Sequence, residues 1–180
     1  MNSSIRIGDT VFELKLGDIT AERTDAIVNA ANEMLSPGGG VSGAIHKAAG
    51  PGLWEEAKNL GGCKTGEAKI TKGYVLKAKY VIHTVGPVYS GRTSDADMLE
   101  ACYKNSLTLA EKKGLRSIAF PSISTGIFGY PIKSASLVAV KTITSYLKDS
   151  PRLELVRMVL FSDNDLVIYE KALGQVEYKS

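Results

Sequence analysis

The chain has 180 residues, enough for one domain with a substantial core, and 44% of them are hydrophobic against 23% charged. A formal net charge of +3 is far from a nucleic-acid-binding signature, and no run reaches the ~18 apolar residues of a membrane span. Cys63 and Cys102 are too few and too isolated for a disulfide framework and fit a reducing cytoplasm, and the N-terminal MNSSIRIGD lacks the apolar stretch of a signal peptide.

Taken in order, the first strand is expected over Val11 to Leu16, where Val11, Phe12, Leu14 and Leu16 alternate weakly before Gly17-Asp18. Polar residues then lead to a buried strand, Ala26 to Asn29. A long glycine-bearing loop with Asn29, Asn32, Ser36-Pro37 and Gly38-Gly39-Gly40 opens into a helix over Val41 to Ala49. Gly50-Pro51-Gly52 breaks the chain, and Leu53 to Leu60 reads as a second short helix. Glu67 to Tyr74 has strand character, and Tyr80 to Thr84 (YVIHT) is a strong buried strand that stops at Gly86-Pro87.

Asp97 to Lys113 reads as the clearest helix, with Asp97 and Glu100 at capping-box spacing and Gly114 at the C-terminal cap. Its inner stripe includes Cys102, which points to core packing for that thiol. Ser117 to Pro121 is a further buried strand and opens onto a second glycine-bearing loop, Ser122 to Tyr130. A helix is expected from Pro131 to about Lys148, stopped by Asp149-Ser150-Pro151. Leu155 to Phe161 is the last strand and Asp163 to Leu173 the last helix. Strands alternating with helices imply a three-layer α/β/α domain with a largely parallel sheet, in which ligands bind beyond the carboxyl ends of the strands. Both glycine loops fall at such ends.

The first loop has the chemistry of an anion cradle. Backbone N–H groups at the start of a helix have no intrahelical partner, the helix dipole favours negative charge, and glycine lets a phosphate approach. Gly38, Gly40 and Gly43 fit G-x-G-x-x-G, but they lie well past the strand, and no acidic residue ends the next strand as a dinucleotide fingerprint requires. Lys64-Thr65 fails as a phosphate loop because Lys58 and Cys63 occupy the required glycine positions. His46 and His83 have no metal spacing with the cysteines, and His83, inside an apolar strand, reads as a core histidine. No metal and no cofactor is expected. Neither Ser122 nor Ser124 sits in a nucleophile elbow. The stretch Ser124-Thr125-Gly126-Ile127-Phe128-Gly129-Tyr130 offers backbone donors beside two aromatic rings, and suits binding a phosphate and a sugar.

These pieces in this order resemble the macrodomain family, which binds ADP-ribose. The resemblance is carried by Gly17-Asp18-Ile19, Asp25 to Asn32, Gly38 to Gly50, Thr65-Gly66 with Thr71 and Gly73-Tyr74, Val81 to Pro87, and Ser117 to Pro131. It covers nearly the whole chain, so residues 1–180 are read as a single domain. It is nearest to the branch of mono-ADP-ribosyl hydrolases and O-acetyl-ADP-ribose deacetylases, and it implies a mixed, mostly parallel sheet. By position, it implies that Asp18 accepts from the adenine amino group beside the Ile19 amide and that Phe161 packs on the adenine. Gly38, Gly39, Gly40 and Val41 hold the diphosphate from one side, and Ser124, Thr125, Gly126, Ile127 and Gly129 from the other. Phe128 faces the distal ribose, Asn32 binds its hydroxyls, and Asn29 orders the loop. The implied partners are ADP-ribose, its derivatives and mono-ADP-ribosylated proteins, with no membrane and no nucleic acid unless it is itself ADP-ribosylated.

One residue departs from the pattern. After Gly-Gly-Gly-Val the hydrolytic branch usually carries an aspartate that positions or activates water, and this chain has Ser42. A serine hydroxyl holds a water but is no general base near neutral pH, and losing such a group costs roughly 10²–10⁴-fold in rate. The expectation is therefore ligand binding with weak hydrolysis, Asn32 and Ser42 being the catalytic candidates. The alternative is a reader module without turnover.

Overall fold

The computed structural model describes residues 3–150 and 152–177. Pro151, read above as part of the stop after the fourth long helix, lies outside the described residues. The strands form one mixed seven-stranded sheet in the order β1-β2-β7-β6-β3-β5-β4. They are β1 (Ser4–Ile7), β2 (Thr10–Leu16), β3 (Ala26–Ala30), β4 (Ala68–Lys72), β5 (Tyr80–Thr84), β6 (Ser117–Phe120) and β7 (Leu155–Leu160). β2, β7, β6, β3 and β5 run parallel, and β1 and β4 close the two edges antiparallel. The expected mixed, mostly parallel sheet is present.

Helices cover both faces, and strand alternation decides which residues face which layer. Val28 of β3, Ile82 of β5, Ile118 and Phe120 of β6 and Val156 and Met158 of β7 pack under α3 (Thr93–Lys112), α4 (Ile132–Leu147) and α5 (Asp163–Glu177). Ile27, Val81, Ala119 and Val159, one residue out of phase, pack under α1 (Gly40–Ala49) and α2 (Gly52–Ala57) with Ile45, Ala49 and Leu53. Each fully buried Leu, Ile or Phe of these layers contributes about 1.5–3 kcal/mol of transfer free energy. Among the described residues no helix is long and apolar enough to cross a membrane.

α5 runs four residues past the expected Leu173 and β4 is shorter than Glu67–Tyr74, and three further differences from the sequence reading have a local cause. β1 was not anticipated, because its four residues carry only two apolar side chains, both partly exposed at the sheet edge. α3 begins at Thr93, a turn before the expected Asp97. The carboxylate of buried Asp95 takes the N–H groups of Ser90 (2.8 Å) and Gly91 (2.9 Å), fixing the approach to the helix. These hydrogen bonds, Ser90 first, hold Asp95 below the usual carboxylate range. Asp97 is exposed on the helix and caps nothing. The C-terminal reading is right: Gly114 at φ 76° donates to the Glu111 carbonyl while Leu115 donates to that of Ala110, a Schellman pair. α2 gives way after Ala57 to a 3₁₀ turn, Lys58–Leu60, that ends at left-handed Gly61.

Candidate functional site

Because five strands run the same way, their carboxyl ends collect on one rim of the sheet. β2 delivers Gly17 and Asp18, β3 the loop to α1, β5 Val85 and Gly86, β6 the loop Ser122–Tyr130, and β7 Phe161. Along this rim runs a cleft of two chambers. One, about 470 Å³, is lined by Asp18, Ile19, Ala44, Pro121, Thr125, Val159, Leu160, Phe161 and Asp165. The other, about 240 Å³, is lined by Ala30, Ala31, Gly39, Gly86, Ile123, Ser124, Ile127 and Phe128. Gly40, Val41, Ser122 and Gly126 line both, so the two glycine loops form a shared waist. A groove of about 590 Å³ between α3 and α4, lined by Glu100, Lys104, Glu111 and Lys141 among others, is larger but shares no residue with this rim.

The first loop is built to bring backbone close. Gly40 has φ 56°, in the left-handed region that favours glycine, and is the first residue of α1. A β-carbon on Gly43 would collide with the Gly38 carbonyl, so that glycine lets the loop fold down onto its own helix. No side chain caps α1, whose first two residues, Gly40 and Val41, line the waist, and Gly43 N–H donates to the Gly39 carbonyl (3.2 Å).

The second loop is closed on itself. Tyr130 N–H donates to the Ser124 carbonyl (2.9 Å), Gly129 N–H to Gly126 (3.0 Å), and Tyr89 N–H to Phe128 (2.9 Å). Ser124 has φ 67°, which is unfavourable for a residue with a β-carbon. Its hydroxyl is buried, lines the smaller chamber and has no protein partner. Ile127, by contrast, is 99% exposed over the cleft.

At the other end Asp18 caps the 3₁₀ turn Ile19–Ala21. Its Oδ1 accepts from Thr20 N (2.9 Å) and Thr20 Oγ1 (2.7 Å), leaving Oδ2 unengaged. Ile19 is buried, and Phe161 is 88% exposed with its ring on the chamber wall.

The two asparagines sit in different surroundings. Asn29 is fully buried on β3, where its Nδ2 donates to His83 Nδ1 at 3.2 Å. His83 Nε2 then faces Thr71 Oγ1 at 2.9 Å. An Nε2–H tautomer satisfies both contacts. Burial, and next the neighbouring His46, push His83 down to about 3, so it is a neutral core residue as read. Asn32 pins the loop: its Oδ1 accepts from Ser36 N (3.0 Å) and its Nδ2 donates to Ser36 O (3.1 Å), beside Gly38. Asn29, Asn32, Gly38 and Gly129 line neither chamber; the other expected binding residues line one or both.

Ser42 does not line either chamber. It is the third residue of α1 and is buried, its hydroxyl without a protein partner. One turn on, His46 is buried too, with both ring nitrogens unpartnered and its ring 6.4 Å from that of His83. Burial holds His46 below the ordinary histidine range. The sequence reading missed His46 as a member of this polar layer, although its spacing of four from Ser42 places the two on one helix face.

Comparison with known proteins agrees with this geometry. Residues 28–139 match the family model described as the macro domain. A macro domain-containing protein of Chlorobaculum tepidum is 57% identical over 158 residues, 87% of this chain and 92% of that protein. The ADP-ribose glycohydrolase MACROD2 of Homo sapiens is 50% identical over 162 residues, 88% of this chain but 38% of that longer protein. The Oceanobacillus iheyensis macrodomain with ADP superposes with a TM-score of 0.94 at 44% identity, covering 98% of this chain and 97% of that one. The chain belongs to the macro domain family.

Proposed function

We propose that the strand-end cleft binds ADP-ribose, free or attached to protein, and that the whole chain acts as a single macrodomain in a reducing cytoplasm. The observation that carries this reading is the shared waist. Two glycine loops converge on Gly40, Val41, Ser122 and Gly126, with one chamber on either side, which is the layout a diphosphate between two nucleoside-sized groups requires. The adenosine occupies the chamber of Asp18, Ile19 and Phe161. The free Asp18 Oδ2 accepts from the adenine amino group, and the Phe161 ring covers the base. The distal ribose lies in the chamber of Ser124 and Phe128. The relatives' names support this assignment, one solved with ADP and another called an ADP-ribose glycohydrolase.

On this reading the distal chamber also hydrolyses ester-linked ADP-ribose or O-acetyl-ADP-ribose, slowly. A water held against the ligand's own phosphate attacks the anomeric carbon, breaking its bond to the ester oxygen and releasing the carboxylate, or attacks the acyl carbon, breaking the acyl C–O bond and releasing the ribose hydroxyl. The water's proton passes by way of the phosphate to the released group. Asn32, fixed by Ser36, shapes the loop over the ribose, and Ser42, which lines neither chamber, acts only by supporting the start of α1 behind Gly40 and Val41. Neutral His46, one turn from Ser42 on the same buried face, makes no hydrogen bond with the serine hydroxyl among the described residues. Positioning of this kind, rather than strong base catalysis, is what the residues present can supply.

One observation favours a second reading, a binding module without turnover. No ionisable side chain lines the distal chamber, so no carboxylate is at hand to take a proton. A product assay on O-acetyl-ADP-ribose and on a glutamate-linked mono-ADP-ribosyl protein separates the two. Release of ADP-ribose above the no-enzyme rate supports the hydrolase, and tight binding with no release supports the module.

A further inference from the structure

Among the described residues no cationic side chain lines the cleft, and Lys15, beside Gly17, is held by Glu22 at 2.7 Å. The two chambers are lined by two carboxylates, Asp18 and Asp165, and by no lysine, arginine or histidine. Both carboxylates stand in the larger chamber with Phe161. The waist between the chambers presents backbone N–H groups to an anion, so the polarity of the cleft changes along its length.

Asp165 lies in the first turn of α5, and its N–H donates to Ser162 Oγ at 3.1 Å. In a reciprocal capping box the carboxylate at this position would turn back to the serine N–H. Here it makes no hydrogen bond or ion pair with the described residues and stands in the cavity wall. Asp163, also in the first turn, already complements the dipole of α5 without lining the chamber. Helix capping therefore does not account for where the Asp165 carboxylate sits.

We infer that Asp165, together with Asp18, is a specificity filter at the adenosine end. It admits an adenosine whose ribose hydroxyls are free and excludes one whose ribose carries a phosphate monoester. The inference rests on the binding reading above, which places adenosine in this chamber. A phosphate monoester brings a charge of roughly −1.5 to −2 at neutral pH. In this chamber it would meet two carboxylates with no cation on the wall to offset the repulsion, the neighbouring Lys15 being paired with Glu22, in a half-enclosed site where charges are only partly screened. Dinucleotide sites elsewhere use the same logic: an acidic residue beside the ribose selects the free hydroxyl, and an arginine accommodates the 2′-phosphate. The ligand class accepted here is the ADP-ribose unit derived from NAD, and the class rejected is its 2′-phosphate, derived from NADP.

The test is calorimetry of wild type, Asp165→Asn and Asp165→Arg with ADP-ribose and with ADP-ribose 2′-phosphate, at low and high salt. Wild type should prefer ADP-ribose by about tenfold or more, about 1.4 kcal/mol. The preference should shrink by about threefold or more in Asp165→Asn, shrink further in Asp165→Arg, and narrow in high salt. A wild-type preference near one, with ADP-ribose bound, overturns the filter while leaving the binding reading intact. A strong preference that neither folded variant alters overturns the role of Asp165. Failure of wild type to bind ADP-ribose at all overturns the binding reading and the filter with it.

Discussion

Gly86, just past the end of β5, and Ser124, in the loop after β6, are in such close contact that a β-carbon on Gly86 would collide with the Ser124 hydroxyl oxygen. It would also come within 2.6 Å of Ile123 Cγ2. The contact joins the ends of two strands that are not neighbours in the sheet, since β3 lies between them. Ser124 in its left-handed conformation is thus wedged over a residue that must be glycine.

Gly86→Ala should therefore displace the second loop. The expected result is at least about tenfold weaker ADP-ribose binding together with a lower melting temperature, since steric overpacking costs about 1–3 kcal/mol. Gly174→Ala is the opposite case. Gly174 lies in α5 with open space around its would-be β-carbon and no positive φ, so alanine should stabilise by up to about 1 kcal/mol. Paired thermal melts of the two variants check both signs, and a Gly86→Ala protein with wild-type stability and affinity would refute the wedge.

Asp18 serves two purposes that one substitution can separate. Asn at this position keeps an oxygen to cap Thr20 but presents an amide N–H₂ where Oδ2 now stands, and that group cannot accept from an adenine amino group. Asp18→Asn should lose about tenfold or more in ADP-ribose affinity at nearly unchanged melting temperature, from a charged hydrogen bond worth about 1.5–3 kcal/mol. Asp18→Ala should lose affinity and also about 1 kcal/mol of cap energy. Isothermal titration alongside melting curves decides. Normal affinity in Asp18→Asn would confine the residue to its capping role.

Much of this arrangement is legible in the chain itself. The apolar runs Ala26-Ile27-Val28, Val81-Ile82 and Ile118-Ala119-Phe120 can only be strands covered on both faces, and each ends in the residues that build the cleft. β1 is illegible because an edge strand needs no buried stripe. The start of α3 is misread because Asp97 and Glu100 have the right spacing, while the controlling contact, Asp95 with Ser90 and Gly91, depends on how the preceding loop turns back. The partner of Asn29 is illegible for a related reason. Asn29 is the last but one residue of β3, and strand alternation aims it at His83, a partner 54 positions away. The position of Asp165 in the cavity wall carries no local signal, since an acidic residue in a first helical turn reads as a dipole effect.

The Asn29–His83–Thr71 chain makes stability depend on pH. Above about pH 6.5 His83 is neutral in both folded and unfolded chains. Below that, the unfolded chain binds a proton that the folded chain refuses until about pH 3, so stability falls as pH drops through this window. At pH 5 the share of His83 is about 2 kcal/mol, and buried His46, lowered in the same direction, adds to it. His83→Gln should be less stable at every pH, but should lose less on going from pH 7.5 to pH 5. Chemical denaturation at the two pH values gives the comparison, and equal losses in both proteins would show that the folded protein accepts the proton.

The last prediction concerns Ser42. As third residue of α1 it stands in the first turn, where a carboxylate is favoured by the helix dipole, and it lies four residues before His46 on the same buried face. Ser42→Asp would place on α1, behind the chamber wall, a carboxylate of the kind that no residue lining the distal chamber carries, to accept a proton from the attacking water or hold it by a charge-assisted hydrogen bond where that water reaches α1. Single-turnover release of ADP-ribose from a glutamate-linked substrate should rise by roughly 10²-fold or more. Affinity should fall modestly, because the new charge lies near the ligand diphosphate. Asn32→Ala should lower both rate and affinity, since it frees Ser36 and loosens the loop beside Gly38. If Ser42→Asp binds ligand but turns over no faster than wild type, the buried face of α1 does not reach the reacting water, and the binding-module reading becomes the better account.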